Sequence, residues 1–183
     1  TENYLVFCEH PHVYTLGKSG DEQNMLLNLK QLQAADVKLV RTNRGGDITY
    51  HGPGQIVGYP IFDLENFGLG LKQYIFKIES VIIKLLTLYG IYAARLAGAT
   101  GVWLDPETSR ARKICAIGVR SAHFVTMHGF ALNVDTDLTY FNHINPCAFT
   151  DKGVTSIQKE LGHSIDLKIV KDDLKNIFEE NFK

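Results

Sequence analysis

One cysteine in this chain has the setting of a nucleophile. In Ile144-Asn145-Pro146-Cys147-Ala148-Phe149 a proline fixes the backbone just before Cys147, and the segment reads as loop. A nucleophilic thiol must ionise, so a positive neighbour has to lower its pKa from about 8.5. Candidates include Lys113, Arg44, Lys152 and the seven histidines. Lys113 opens the run Lys113-Ile114-Cys115-Ala116-Ile117-Gly118-Val119-Arg120, where strand alternation puts it on one face with Cys115 and Ile117. An inward-pointing lysine could shuttle protons. His51 and His128 each precede a glycine and offer a cysteine–histidine pair instead. The residues alone leave lysine and histidine open. An inert buried thiol is the commoner fate of a lone cysteine, and Cys8 and Cys115, inside apolar strand-like runs, fit it.

The densest local signal is Arg44-Gly45-Gly46-Asp47-Ile48-Thr49-Tyr50-His51-Gly52-Pro53-Gly54-Gln55. Its glycines permit positive φ and close backbone approach, and N–H groups in such a loop can bind a carbonyl oxygen or a phosphate. Two tight turns around a strand would use the same residues. The block is neither a phosphate-binding P-loop nor a dinucleotide fingerprint. His10 and His12, two apart, would share a strand face, but no clear zinc ligand set accompanies them.

These residues must be held by a scaffold, and composition bounds it. At 183 residues with 45% apolar and 21% charged content, one globular domain spanning 1–183 is expected. A net charge of −1 argues against a partner held through phosphate contacts, so no nucleic acid is expected. No apolar run approaches a membrane span, and Thr1-Glu2-Asn3-Tyr4 is not a signal peptide. Three scattered cysteines suit a reducing cytoplasm better than a disulfide framework.

Two stretches read as helix. In residues 71–89 an apolar stripe runs from Leu71 through Leu86, with Gly90 as the stop, and residues 166–182 repeat the pattern. A shorter helix is expected near 25–35. Strand-like runs are Tyr4–Cys8, His12–Leu16, Val37–Arg41, Ile48–Tyr50, Gln55–Phe62, Gly101–Leu104, Lys113–Arg120 and Val125–Val134. Residues 105–109 read as a hairpin turn between two of them. The expected class is α+β, a largely antiparallel or mixed sheet with helices packed on one side.

Taken together, the segments Glu9–Gly17, Arg44–Gln55, Lys113–Arg120, His128–Val134 and Asn145–Cys147 resemble the lipoyl (octanoyl) transferase family, in the family's order. The resemblance covers most of residues 5–160; the last forty add little. It implies an α/β sandwich related to the catalytic domains of lipoate and biotin ligases. By the same resemblance, Cys147 matches the acyl-thioester cysteine and Lys113 the lysine that lowers its pKa. Arg44, Gly45, Gly46, Asp47, Ile48, Thr49, Tyr50 and His51 match segments lining the acyl site, as do Ala116, Ile117, Gly118, Gly129, Phe130 and Ala131. Two departures stand out: a further N-terminal stretch usual in the family is expected to be missing, and His12 stands where a second proline is common.

The implied reaction moves an octanoyl or lipoyl group from acyl carrier protein to a lysine of a lipoyl domain, in lipoate biosynthesis. Recipients would be lipoyl domains of 2-oxoacid dehydrogenases or the glycine cleavage H protein. No cofactor or metal is called for. The rivals are an ATP-dependent lipoate ligase on the same fold and a silent module that docks acyl carriers or lipoyl domains. Cys147 together with Lys113 favours the transferase.

Overall fold

The computed structural model describes residues 2–145 and 152–183, and the α+β class expected above is what it shows. Among the described residues a seven-stranded sheet contains β1 (Tyr4–Cys8), β5 (Gln55–Ile61), β9 (Val125–Asn133), β8 (Arg112–Ala122), β7 (Ala99–Leu104) and β6 (Ala94–Leu96), in that spatial order. These neighbours pair antiparallel, and β10 (Gly153–Val154) adds on to β8 in parallel. A smaller three-stranded sheet has β2 (Val13–Leu16) at its centre, between β3 (Lys38–Arg41), parallel to it, and β4 (Ile48–His51), antiparallel.

Helix α2 (Leu71–Leu88) forms because Tyr74, Ile78, Val81, Ile82, Leu85 and Leu86 recur at helical spacing and bury one face. Burying each of the aliphatic side chains is worth about 2 kcal/mol relative to exposure. The helix begins where Gln73 Oε1 accepts the Gly70 N–H at 2.9 Å and stops at Gly90, whose φ of +73° few side chains tolerate. Helix α4 (Leu167–Asn181), capped by Asp166, brings Val170, Leu174, Ile177 and Phe178 to the same core. Both helices pack with the large sheet, while Tyr14, Leu16, Ile48, Tyr50, Leu32 and Ile144 build a separate core around the small one. The short helices α1 (Leu29–Ala34) and α3 (Ile157–Leu161) complete the set. No helix among the described residues is long and apolar enough to cross a membrane.

The expected strands recur with shifts of a residue or two at their ends. Strands β6 and β10 and helix α3 were not anticipated, being too short to show a period. Three other expectations need correcting. His10 and His12 share no strand face, because β1 ends at Cys8 and β2 begins at Val13. Lys113 and Cys115 also part company. Trp103 stands opposite Lys113 while the adjacent Val102 stands opposite Cys115, so Ile114 is an extra residue in β8. That bulge breaks the alternation: Cys115 is sealed in the core and Lys113 turns to a cavity. The third, Tyr50, belongs to the site.

Candidate active site

A cavity of about 730 Å³ opens between the two sheets. Lys113 lines it, together with Arg44, Gly45, Gly46, Asp47, Ile48, Thr49 and His51 from the glycine block. Ala116, Ile117 and Gly118 of β8 and Gly129, Phe130 and Ala131 of β9 complete what the resemblance had grouped. Tyr50 is the exception. Strand alternation on β4 turns it into the second core, where its hydroxyl meets His12 Nδ1 at 2.7 Å and its ring stacks on Tyr140 at 4.8 Å.

The glycine block is pinned against β8 by close backbone contact. Gly45 N–H donates to Val119 O at 3.0 Å, and a Cβ on Gly118 would lie 2.7 Å from Gly45 O. Only glycine at 118 lets the loop approach so near. Arg44 holds the other side. Its guanidinium donates to Thr15 O at 2.6 Å, to Thr15 Oγ1 at 2.9 and 3.2 Å, and to Gly45 O at 3.0 Å. Asp47 accepts from Asn24 Nδ2 at 2.6 Å and from Asp21 N–H at 3.1 Å. The loop is therefore preorganised before any substrate arrives.

Both histidines raised as candidate bases border the cavity. His51 Nδ1 lies 2.8 Å from Gln55 Oε1. Gln55 Nε2 already donates to Tyr50 O at 3.2 Å and Asn133 Oδ1 at 2.9 Å, so its Oε1 must accept and His51 carries its proton on Nδ1. Burial, with Arg44 and His10 adding positive charge nearby, pulls the His51 pKa down to about 4. His128 is lowered too, by burial first and then by Arg44 and Arg120. Neutral imidazoles supply no cation for a thiol near neutral pH.

Cys147 lies outside the described residues, which end at Asn145 and resume at Lys152. On one side Tyr140 stacks on His12 at 4.4 Å, Tyr14 Oη donates to Tyr140 O at 2.8 Å, and Asn145 N–H donates to Asn24 O at 2.9 Å. On the other, Lys152, Gly153 and Val154 border the cavity, Val154 stands opposite Lys113, and Thr155 N–H donates to Lys113 O at 3.0 Å. The two remaining cysteines are poor nucleophiles, since burial pushes both thiols above their ordinary value.

Some cavity residues had escaped notice. Trp103 lies in the Gly101–Leu104 run, and its ring centroid is 4.6 Å from Lys113 Nζ, a cation–π contact. Tyr59 holds His10 Nε2 at 2.7 Å in the cavity wall. Neither carries a motif; an aromatic in a strand reads as core.

A family model described as the lipoyl protein ligase A/B catalytic domain matches residues 1–179. The chain is 64% identical over 173 residues to a Bacteroides fragilis protein named octanoyltransferase, spanning 94% of this chain and 78% of that one. A protein of the same name from Parabacteroides distasonis is 60% identical over 182 residues, 99% of this chain and 82% of its own length. Among solved structures, a bipartite lipoate protein ligase from Thermoplasma acidophilum superposes with a TM-score of 0.79 at 15% identity, over 99% of this chain and 71% of that one. A lipoate-protein ligase A bound with ATP gives 0.78 at 15% identity, over 99% and 73%. At such identities the structures speak for the fold alone, whereas the curated relatives speak for the lineage. The chain belongs to the lipoyl protein ligase A/B catalytic-domain family, on its octanoyltransferase branch, and is an acyltransferase.

Proposed function

We propose that this enzyme transfers an octanoyl group from acyl carrier protein to a lysine of a lipoyl domain, through a thioester on Cys147. Acyl transfer by this lineage is the starting point. The observation that carries the finer reading is the pairing of β10 with β8, which ties the segment after Cys147 to the backbone of Lys113.

In the first half-reaction the Cys147 thiolate attacks the carbonyl carbon of the donor thioester. The new C–S bond forms, the old one breaks, and the departing carrier thiol takes a proton from the Lys113 ammonium. In the second, the acceptor lysine amine attacks the acyl-enzyme. A C–N bond replaces the C–S bond, Cys147 leaves as thiolate, and Lys113, now neutral, accepts the proton lost by the amine. Each group ends as it began. Thioester to thioester is nearly balanced and thioester to amide runs downhill, so no nucleotide is consumed. The apolar Val57, Ala116 and Ala131 on the cavity wall suit an alkyl chain, and the Arg44–Gly46 backbone suits the polar end.

Intact-protein mass spectrometry after mixing with octanoyl–acyl carrier protein tests this. Wild type should gain one octanoyl group and lose it to an added lipoyl domain, without ATP, while Cys147→Ala stays unmodified. A folded wild type that gains nothing, or that modifies the lipoyl domain only with ATP and free octanoate, would overturn the thioester mechanism.

A further inference from the structure

One carboxylate in the main core takes no part in the chemistry above. Glu79 lies midway along α2, 7% exposed, between Ile78 and the Val81–Ile82 pair. A carboxylate so placed needs partners for both oxygens. Oε1 accepts the N–H of Gly101 at 3.0 Å, and Oε2 accepts from Arg95 Nε at 2.8 Å. Arg95 is itself fixed to α2: it donates to Phe76 O at 2.8 Å and to Ser80 Oγ, and its guanidinium lies 3.5 Å from the Phe76 ring centre. The pair thus clamps β6 and β7 on to the helix.

The clamp ends under Lys113. Gly101 has a φ of +122°, and a Cβ there would lie 2.6 Å from Cys115 O and 3.5 Å from Lys113 Cε. Two residues on, Trp103 faces Lys113 across the bulge and covers its ammonium. Gly101 lies beside the lysine stem, and Trp103 forms the bed for its tip. We propose that Glu79 is a positioning residue for Lys113, acting through the Gly101 N–H to seat the stretch of β7 on which the lysine side chain rests. Its kinetic consequence rests on the reading of Lys113 as the proton-transfer group; its geometric content does not.

Removing Oε1 leaves a buried N–H without an acceptor and frees β7 to reseat. Glu79→Gln keeps a carbonyl oxygen for Gly101, whereas Glu79→Ala does not. The signature is the ring-current shift of the Lys113 Hε protons, which adjoin the ammonium that lies 4.6 Å from the indole centroid and are assigned by their loss in Lys113→Arg. In wild type they should resonate upfield of exposed lysines. In Glu79→Ala more than half of that displacement should vanish, and in Glu79→Gln most should remain. The kcat for lipoyl-domain octanoylation should fall about tenfold or more in Glu79→Ala, with KM within about threefold and Glu79→Gln largely restored. Should Glu79→Ala not fold, Glu79→Met with Arg95→Met removes the acceptor without stranding a charge, and the Hε shift should again be lost. An Hε signal still displaced upfield as in wild type, in either acceptor-less protein, would overturn the proposal. If wild type transfers no octanoyl group the functional reading fails, while the NMR comparison still decides the role of Glu79.

Discussion

Lowering the pH from 7.5 to 5 should cost this protein stability through His51. Held at about 4 in the folded state, against an ordinary imidazole value of 6.5, His51 stays neutral while the unfolded chain takes up a proton. Its contribution is therefore complete above pH 6.5 and lost as the pH falls from there towards 4. At 1.36 kcal/mol for each tenfold step, the full loss is about 3 kcal/mol, of which about 2 kcal/mol is gone by pH 5. These are upper figures, since one edge of the residue meets the cavity. His51→Asn keeps a donor for Gln55 Oε1 and removes the titration. Urea unfolding followed through Trp103, the sole tryptophan and 2% exposed, reads both proteins at each pH. Between pH 7.5 and 5 wild type should lose about 2 kcal/mol more than His51→Asn. Parallel losses, within about 0.5 kcal/mol, would mean that the imidazole is not kept neutral and would readmit it as a base for Cys147.

Gly118→Ala should push the Arg44–Gly46 loop off β8 and lower octanoyl loading in the mass assay, at a stability cost of about 1–3 kcal/mol by calorimetry. Glu160 accepts two bonds from Arg112 at 2.7 Å, and this pairing, foremost, holds its pKa below the ordinary carboxylate value. That stabilisation is present above pH 4.5 and lost as the pH falls below it. Glu160→Gln should therefore be about 1–3 kcal/mol less stable than wild type at pH 7, with the gap closing in acid, as calorimetry at two pH values would show. Tyr140→Ala removes the stacks on His12 and Tyr50 and should cost about 1–3 kcal/mol, with octanoyl loading slowed because the segment leading to Cys147 loses its anchor.

Where residues repeat a period, the fold was legible: the stripe from Tyr74 to Leu86 gave α2 to within a residue, and Val170 to Phe178 gave α4. Three-residue β6 and two-residue β10 carry no period at all, yet β10 supplies the tie between Lys113 and the segment following Cys147. The inward turn of Lys113 was foreseen for the wrong reason. Alternation would have placed it with Cys115, and the bulge at Ile114, which depends on how β7 is seated, separates them. The glycine block announced close approach, but its target at Gly118 and Val119 lies more than seventy residues on, out of reach of any local pattern. Tyr50 fell inside a motif and outside the cavity because adjacent residues on a strand face opposite ways.

The pairing of Val154 with Lys113 joins positions 41 apart in the chain. A contact of that span closes a longer loop, at a greater cost in chain entropy, than a local hairpin such as β8–β9. A chain cut before residue 152 would leave β8 without the parallel partner that β10 gives it at Arg112 and Lys113.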